Sequence, residues 1–205
     1  MIINLIEERI KNRIPKPMDI IYNYGILVPL IKIKDDWKLI YQVRAKSLER
    51  QPGEICFPGG SVEGKESFKE TAIRETCEEL NIKEENIKIL GQLDYLISHS
   101  NSSMYPFIGI IKNVYIDKIK YNKEEVDHIF TVPLQFFLEN QPNVYYIDLK
   151  TVTGEDFPYE MVPNGEDYNW DRGKHSVYFY EYENYIIWGL TAKITKNFID
   201  IIKKS

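Results

Sequence analysis

The alternation of apolar and polar positions predicts a chain that mixes strands with helices. Two runs of β-branched and aromatic residues, 24–33 and 38–44, flank the turn formers of residues 34–37, which is typical of an antiparallel hairpin. Residues 66–80 instead repeat apolar side chains at helical spacing, and Asn81 then suits the left-handed conformation that ends a helix. The pattern therefore favours the α+β class.

The rest of the chain repeats these two patterns. Three more apolar runs predict strands at residues 87–97, 104–112 and 144–152. The run at 104–112 is nearly all apolar, as expected for the centre of a sheet. Residues 175–190 predict a hairpin that turns at Glu183 and Asn184, and helices are predicted at about residues 2–13 and 191–204.

Composition limits the class of protein. With 205 residues, of which 43% are hydrophobic, the chain can form one substantial core, and it contains no repeat or linker. We therefore expect one domain over residues 1–205, with a mixed sheet between helices. The longest strand-like apolar run, residues 25–31, is too short to cross a bilayer, and the N-terminus lacks a signal-peptide cleavage pattern. A cytoplasmic protein without membrane contact is expected.

Charge and cysteine content narrow the choice of partners. The net charge of −5 opposes binding to nucleic acid, although a local basic patch could hold a small phosphorylated ligand. Cys56 and Cys77 show neither disulfide nor zinc spacing, and we interpret both as buried small residues. The Gly-, Pro- and aromatic-rich residues 153–175 form either a substrate-contacting loop or an ordinary connection.

Three acids crowd one turn of the predicted helix at residues 66–80. Glu75 faces both Glu78 and Glu79, and like charges at this spacing cost about 0.2–0.5 kcal/mol per pair. One interpretation is a solvated helix face. The other is a hard divalent cation, which takes carboxylate oxygens as ligands and offsets their repulsion.

The spacing around this cluster resembles a known signature. The positions in register are Gly60, Glu66, Arg74, Glu75, Glu78 and Glu79. Together they resemble the motif of the Nudix hydrolases over residues 60–82, with Thr76 in an apolar position and Asn81 in place of the final glycine. The resemblance implies the Nudix fold, a mixed β-sheet sandwiched between α-helices.

The resemblance also implies roles for the cluster. In that family the residues at the positions of Glu75, Glu78, Glu79 and Gly60 hold Mg²⁺ or Mn²⁺. Arg74 would steady the acids. The general base would be Glu75 or an acid of the segment 121–130, which we take for a loop; Glu124 and Glu125 are its candidates, and Glu125 is preferred.

Residues 44–60 resemble a second motif, found in Nudix enzymes that hydrolyse coenzyme A. The positions in register are Arg44, Leu48, Gly53, Phe57, Pro58, Gly59 and Gly60, whereas Glu49 stands at a customary arginine. Arg44, Arg50, Phe57 and Gly59 are the expected substrate-binding residues, and the arginines would contact the 3′-phosphate. Likeness to this subgroup extends over residues 25–194.

The expected function is metal-dependent hydrolysis of coenzyme A to 3′,5′-ADP and 4′-phosphopantetheine. The alternative enzyme is a Nudix hydrolase of ADP-ribose or another nucleoside diphosphate derivative. An alternative of another class is a non-catalytic module that senses a nucleotide. The expected partner is a small nucleotide diphosphate, and a homodimer is possible.

Overall fold

The computed structural model describes residues 2–204, so Met1 and Ser205, the ends of the expected domain, lie outside the described residues. The helices are α1 (Ile2–Ile10), α2 (Phe68–Leu80), α3 (Leu134–Glu139) and α4 (Gly189–Lys203). The strands are β1 (Tyr22–Ile33), β2 (Asp36–Arg44), β3 (Ile55–Cys56), β4 (Gly59–Ser61), β5 (Ile87–Gln92), β6 (Leu96–Ser98), β7 (Ser102–Ile111), β8 (Val126–Pro133), β9 (Asn143–Leu149), β10 (Gly173–Tyr182) and β11 (Tyr185–Trp188).

The larger sheet has eight strands and is mixed. Its main path runs β3-β2-β1-β7-β5, while β4, β6 and β8 pair with β1, β7 and β2 respectively. Strands β1 and β7 are parallel, and the other pairings are antiparallel. The apolar run predicted to be central is β7, which lies between β1 and β5.

Helices cover both faces of this sheet, which confirms the predicted mixed sheet between helices. Alternate residues of β1 point to opposite sides, so Leu27 packs towards α2 while Val28 packs towards α3 and α4. The α2 side of the core includes Ala72 and Leu80, and the α4 side includes Ile199. Each of these five residues is fully buried.

Residues 126–133 correct one prediction. The sequence predicts a loop over residues 121–130, but only the first half is a turn, because Val126 begins strand β8 alongside β2. The sequence pattern did not predict this strand, because its side chains contact the core on both faces of the sheet instead of alternating between core and solvent. Phe130 packs on one side and Ile129 on the other, while Asp127 is exposed. Helix α1 also ends earlier than predicted, at Ile10.

A second sheet of three strands, in the order β11-β10-β9, packs against α4. Tyr180 and Ile187 point from it into the core, and Glu183 adopts a positive φ of 53° at the predicted β10–β11 turn. Residues 150–172 contain no helix or strand beyond two short 3₁₀ turns. Within residues 2–204, no helix is long and apolar enough to cross a membrane.

Candidate active site

Helix α2 is fixed at both ends, which sets the direction of its glutamates. Ser67 and Glu70 form a capping box, in which the side chain of each accepts a hydrogen bond from the backbone N–H of the other. Asn81 ends the helix in the left-handed conformation, with φ 49° and ψ 49°. The residue that replaces the signature glycine therefore adopts the glycine-like backbone, as predicted.

The Gly59–Gly60 pair brings the backbone of β4 against α2. The N–H of Gly59 donates to a carboxylate oxygen of Glu79 at 3.0 Å. A Cβ at Gly60 would overlap the carboxylate of Glu75, and a Cβ at Gly59 would approach the carbonyl oxygen of Gly25 to 2.6 Å. Only glycine fits at either position, since any side chain would displace a carboxylate or the neighbouring strand.

Arg74 joins the acids of the cluster by direct ion pairs. Its Nε and Nη2 bind both oxygens of Glu66 at 3.1 and 2.9 Å, and its Nη1 binds Glu75 at 2.9 Å and Glu78 at 3.1 Å. Nη2 also donates to the carbonyl of Ser61 at 3.1 Å. The hydrogen bonds from Arg74 lower the pKa of Glu66 to about 2. Arg74 therefore contacts three acids of the cluster, and its role in steadying them stays a prediction.

Glu79 and Glu75 both have a raised carboxyl pKa. Glu79 is only 5% exposed, and burial raises its pKa to about 8, with the charges of Glu75 and Glu125 adding to the effect. Burial also raises the pKa of Glu75, although Arg74 opposes that rise. A buried carboxylate with too little positive charge nearby is costly. Such a site favours a cation.

The residue types fit a hard divalent metal ion. Glu75, Glu78 and Glu79 offer carboxylate oxygens on one helix, and the Gly59–Gly60 backbone lies against the carboxylates of Glu79 and Glu75. Over residues 2–204, no three His, Cys, Asp or Glu side chains are already arranged as a ligand set. One reason is visible at Glu78, whose carboxylate is bound to Arg74. A metal ion shared by the three glutamates would require Glu78 to leave Arg74.

Two backbone hydrogen bonds hold the turn that carries Glu125. The N–H of Asn122 donates to the carbonyl of Glu79 at 2.8 Å, and the N–H of Ala45 donates to the carbonyl of Glu125 at 2.9 Å. The charge of Glu125 raises the pKa of both Glu75 and Glu79, so the fold brings this acid to the cluster. Its role as a base stays a prediction.

Gln42 is a buried polar neighbour that the sequence analysis missed. It is 1% exposed, its Nε2 donates to the thiol of Cys56 at 3.6 Å, and its hydrogen bonding opposes the rise in the pKa of Glu79. Its Oε1 has no hydrogen-bond partner in the part of the chain that the structure describes. A glutamine inside the apolar run of β2 was the sequence feature that could have identified it.

The loop between β2 and β3 carries the expected substrate-binding arginines. Arg44 closes the loop through backbone hydrogen bonds with Gly53 and Glu54, and its guanidinium donates to the carbonyl of Arg50 at 3.2 and 3.3 Å. The side chain of Arg50 is exposed. Arg44 and Glu79 shift the pKa of the Cys56 thiol in opposite directions, so both lie near that residue.

Phe57 lies in the core, unlike the arginines of the loop between β2 and β3. It is 5% exposed and stacks on Tyr41 with ring centroids 4.7 Å apart, so packing in the core accounts for its presence. A substrate contact for Phe57 stays a prediction.

The aromatic residues of the connection 150–172 contact one another, with Phe157 lying 5.6 Å from Trp170 between ring centroids. The choice between a substrate-contacting loop and an ordinary connection therefore stays open.

A mixed sheet between helices, with an acidic helix held against a Gly-Gly strand, defines the class of Nudix proteins. The family model of the NUDIX domain matches residues 24–172, and the chain belongs to this family of hydrolases. Members of the family act on small nucleotide derivatives and need divalent metal ions.

Two relatives and one solved structure are similar to the chain. The peroxisomal coenzyme A diphosphatase of Mus musculus is 29% identical over 83% of this chain and 66% of its own length, slightly under two thirds. The Nudix hydrolase NudL of Photorhabdus laumondii is 33% identical over 83% of this chain and 79% of its own length. A MutT/nudix protein of Enterococcus faecalis shares the fold, with a TM-score of 0.51 at 15% identity, covering 100% of this chain and 70% of its own.

Proposed function

We propose that the protein hydrolyses the diphosphate of coenzyme A or a derivative to 3′,5′-ADP and 4′-phosphopantetheine. The observation that carries the proposal is the direct connection between the 44–60 loop and the acidic cluster. Arg44 ends β2, the loop returns through β3, and Gly59 then donates its N–H to Glu79. The motif that resembles coenzyme A hydrolases therefore adjoins the proposed metal ligands, and the mouse relative is named for this activity.

Each part of the site has a task in this reaction. Glu75, Glu78 and Glu79, with the carbonyl of Gly60, would hold Mg²⁺ or Mn²⁺. The metal supplies charge neutralisation on the diphosphate and a more acidic attacking water. Glu75 or Glu125 would accept the proton of that water; in support, the charge of Glu125 contributes to the raised pKa of Glu75.

The basic side chains would select the substrate. Coenzyme A differs from its 3′-dephospho form by one phosphate that lies away from the scissile diphosphate. Arg50 has an exposed side chain, and Arg44 holds the carbonyl of Arg50, so the pair can present positive charge at the mouth of the site. Arg44 and Arg50 would therefore contact the 3′-phosphate. Gly59 would lie at the base of the loop, and Phe57, which is buried, would support that base by packing on Tyr41.

A substrate panel tests the proposal. Coenzyme A, dephospho-coenzyme A and ADP-ribose are compared as kcat/KM with Mg²⁺ and with Mn²⁺ on one preparation, and the products are identified by mass. We expect coenzyme A to be cleaved best, giving the two products named above. Preferred cleavage of ADP-ribose would overturn the substrate assignment. Tight binding without turnover in either metal would instead indicate a nucleotide-sensing module.

The location of the protein in the cell stays a prediction. A cytoplasmic location is expected from the sequence, whereas the mouse relative is named as peroxisomal. Fluorescence imaging of the tagged full chain in its own cells decides between an even cytoplasmic signal and a confined one.

A further inference from the structure

The outer edge of the three-stranded sheet is unprotected. Strand β9 pairs along its whole length with β10, from Asn143 opposite Phe179 to Leu149 opposite Gly173, without a bulge. Within residues 2–204, β10 is its only partner strand, and residues 143–149 take part in no other backbone hydrogen bond. Alternate N–H and C=O groups of β9 therefore point away from the sheet, ready to pair with another strand.

The side chains of β9 are as exposed as its backbone. Val144, Tyr145, Tyr146 and Ile147 are 39%, 61%, 68% and 55% exposed, so both faces of the strand are apolar and open to solvent. Proteins usually protect such an edge with lysine, proline, a bulge or a covering segment. Among residues 143–149, Asp148 is the only charged residue and proline is absent. This strand therefore has the composition of an interface.

We propose that β9 pairs antiparallel with β9 of a second copy of the chain. A two-fold axis at Tyr146 would place Tyr145 opposite Ile147 of the other copy and Val144 opposite Asp148. Both edges would then be satisfied in a closed dimer with a continuous six-stranded sheet. Antiparallel pairing also keeps the two Asp148 side chains apart, whereas parallel pairing in register would place them side by side. Charge thus favours the two-fold arrangement.

The exposed area sets the strength of this dimer. Residues 144–147 expose roughly 400 Å² of side chain per copy, taking the exposed fraction of each and about 150–250 Å² for a large side chain. A stable interface of standard size covers about 800 Å² per partner. The β9 pairing therefore lies at the weak end of specific interfaces. We expect dissociation in the micromolar range rather than a permanent dimer.

Sedimentation of the full chain from about 2 to about 200 µM tests the proposal. We expect the wild type to shift from monomer to dimer across this range. Tyr146→Lys would place two ammonium groups together at the axis and should weaken association at least tenfold. Tyr115→Lys is the matched control, because Tyr115 is 76% exposed and lies outside β9. It should associate like the wild type.

A second variant tests the position of the axis. In Tyr146→Cys the two thiols would face each other, so mild oxidation should yield a covalent dimer on a non-reducing gel. Tyr115→Cys should form no covalent dimer and should run as a monomer on the same non-reducing gel. A wild type that stays monomeric at about 200 µM, or a Tyr146→Lys variant that associates normally while folded by circular dichroism, would overturn the proposal. Neither result depends on which substrate the enzyme hydrolyses.

Discussion

Helix α2 and strand β9 depart from the usual distribution of residues in opposite directions. In α2 the acidic residue Glu79 is only 5% exposed, whereas in β9 the aromatic residue Tyr146 is 68% exposed. Burying a charge without sufficient pairing is unfavourable, and so is leaving apolar surface in water. Each region is therefore suited to a partner of its own chemistry: a cation beside the glutamates and an apolar strand beside β9.

The two regions also differ in how much each depends on its partner. The glutamates are held in place by protein contacts, such as the bonds from Gly59 to Glu79 and from Arg74 to Glu75. Among the described residues 2–204, strand β9 pairs on one side only, with β10. Protein contacts thus already position Glu75 and Glu79, which is typical of catalytic groups, whereas the outer edge of β9 gains hydrogen bonds only through association.

The largest effect is expected at the acidic cluster. Glu79→Gln keeps the shape of the side chain but removes one charge from the proposed metal site, so turnover should fall by about 10²-fold or more. The amide also avoids burying a charge beside Glu75 and Glu125, so the variant in EDTA should melt no lower than the wild type. Steady-state kinetics and thermal melts measure the two effects, and Glu75→Gln should lose activity similarly.

Glu85→Gln serves as the control for this change. Glu85 is exposed, in a short turn after α2, and its contact is a 3.5 Å ion pair with Lys83 at the surface. Removing it should leave turnover near the wild-type value. Near-normal activity in Glu79→Gln would remove Glu79 from the metal site and would limit its role to the buried face of α2.

The next effect concerns substrate choice. If Arg50 binds the 3′-phosphate, dephospho-coenzyme A loses a charge-assisted hydrogen bond of about 1.5–3 kcal/mol, equivalent to roughly a ten- to hundredfold lower kcat/KM. Arg50→Ala should remove most of this preference and spare hydrolysis of the dephospho compound. Arg44→Ala serves as the comparison, since Arg44 also holds the loop through the carbonyl of Arg50.

The kcat/KM values of the two arginine variants distinguish a side chain that contacts the substrate from one that holds the loop in place. If Arg44→Ala lowers kcat/KM for both substrates equally, Arg44 acts by holding the loop. If neither arginine variant alters the preference, the 3′-phosphate is recognised elsewhere, and the acid at Glu49 is one reason for the missing contact.

The sequence predicted the α2 region well because its spacing is rigid. Once residues 68–80 form a helix, the relative directions of Arg74, Glu75 and Glu79 follow from helical geometry. The helix end at Asn81 also followed from a local preference for positive φ. The same reasoning could not show that Glu79 is buried while Glu78 is exposed, because burial depends on strands brought in from elsewhere in the chain.

The remaining features depend on contacts between distant segments. The approach of Glu125 requires the hydrogen bond from Asn122 to the end of α2, for which no local pattern exists. Strand β8 was missed because it is covered on both faces and lacks a clear alternation. The exposure of β9 was hidden as well: an apolar run predicts a strand but gives no indication of what lies on either side of it.

A smaller effect is expected at Gln42. Its amide is the buried polar group next to Glu79, and Gln42→Met would keep the volume while removing one hydrogen bond worth about 0.5–1.5 kcal/mol. If Gln42 positions the carboxylate, kcat should fall roughly two- to tenfold with KM little changed, and Gln42→Asn should restore part of the activity. An unchanged kcat in a folded Gln42→Met variant would limit Gln42 to packing.

The smallest effect is expected at Cys77, which lies on α2 between the catalytic candidates. The thiol is half-buried, and burial raises its pKa, with the charges of Glu84 and Glu78 adding to the rise, so it is poorly suited to act as a thiolate nucleophile. Cys77→Ser changes the size of the side chain little and leaves every carboxylate in place. Metal-dependent turnover should therefore stay within about tenfold of the wild type. Loss of activity in a folded Cys77→Ser variant would show that the thiol takes part in the reaction, and the acids of α2 alone would no longer account for the chemistry of this helix.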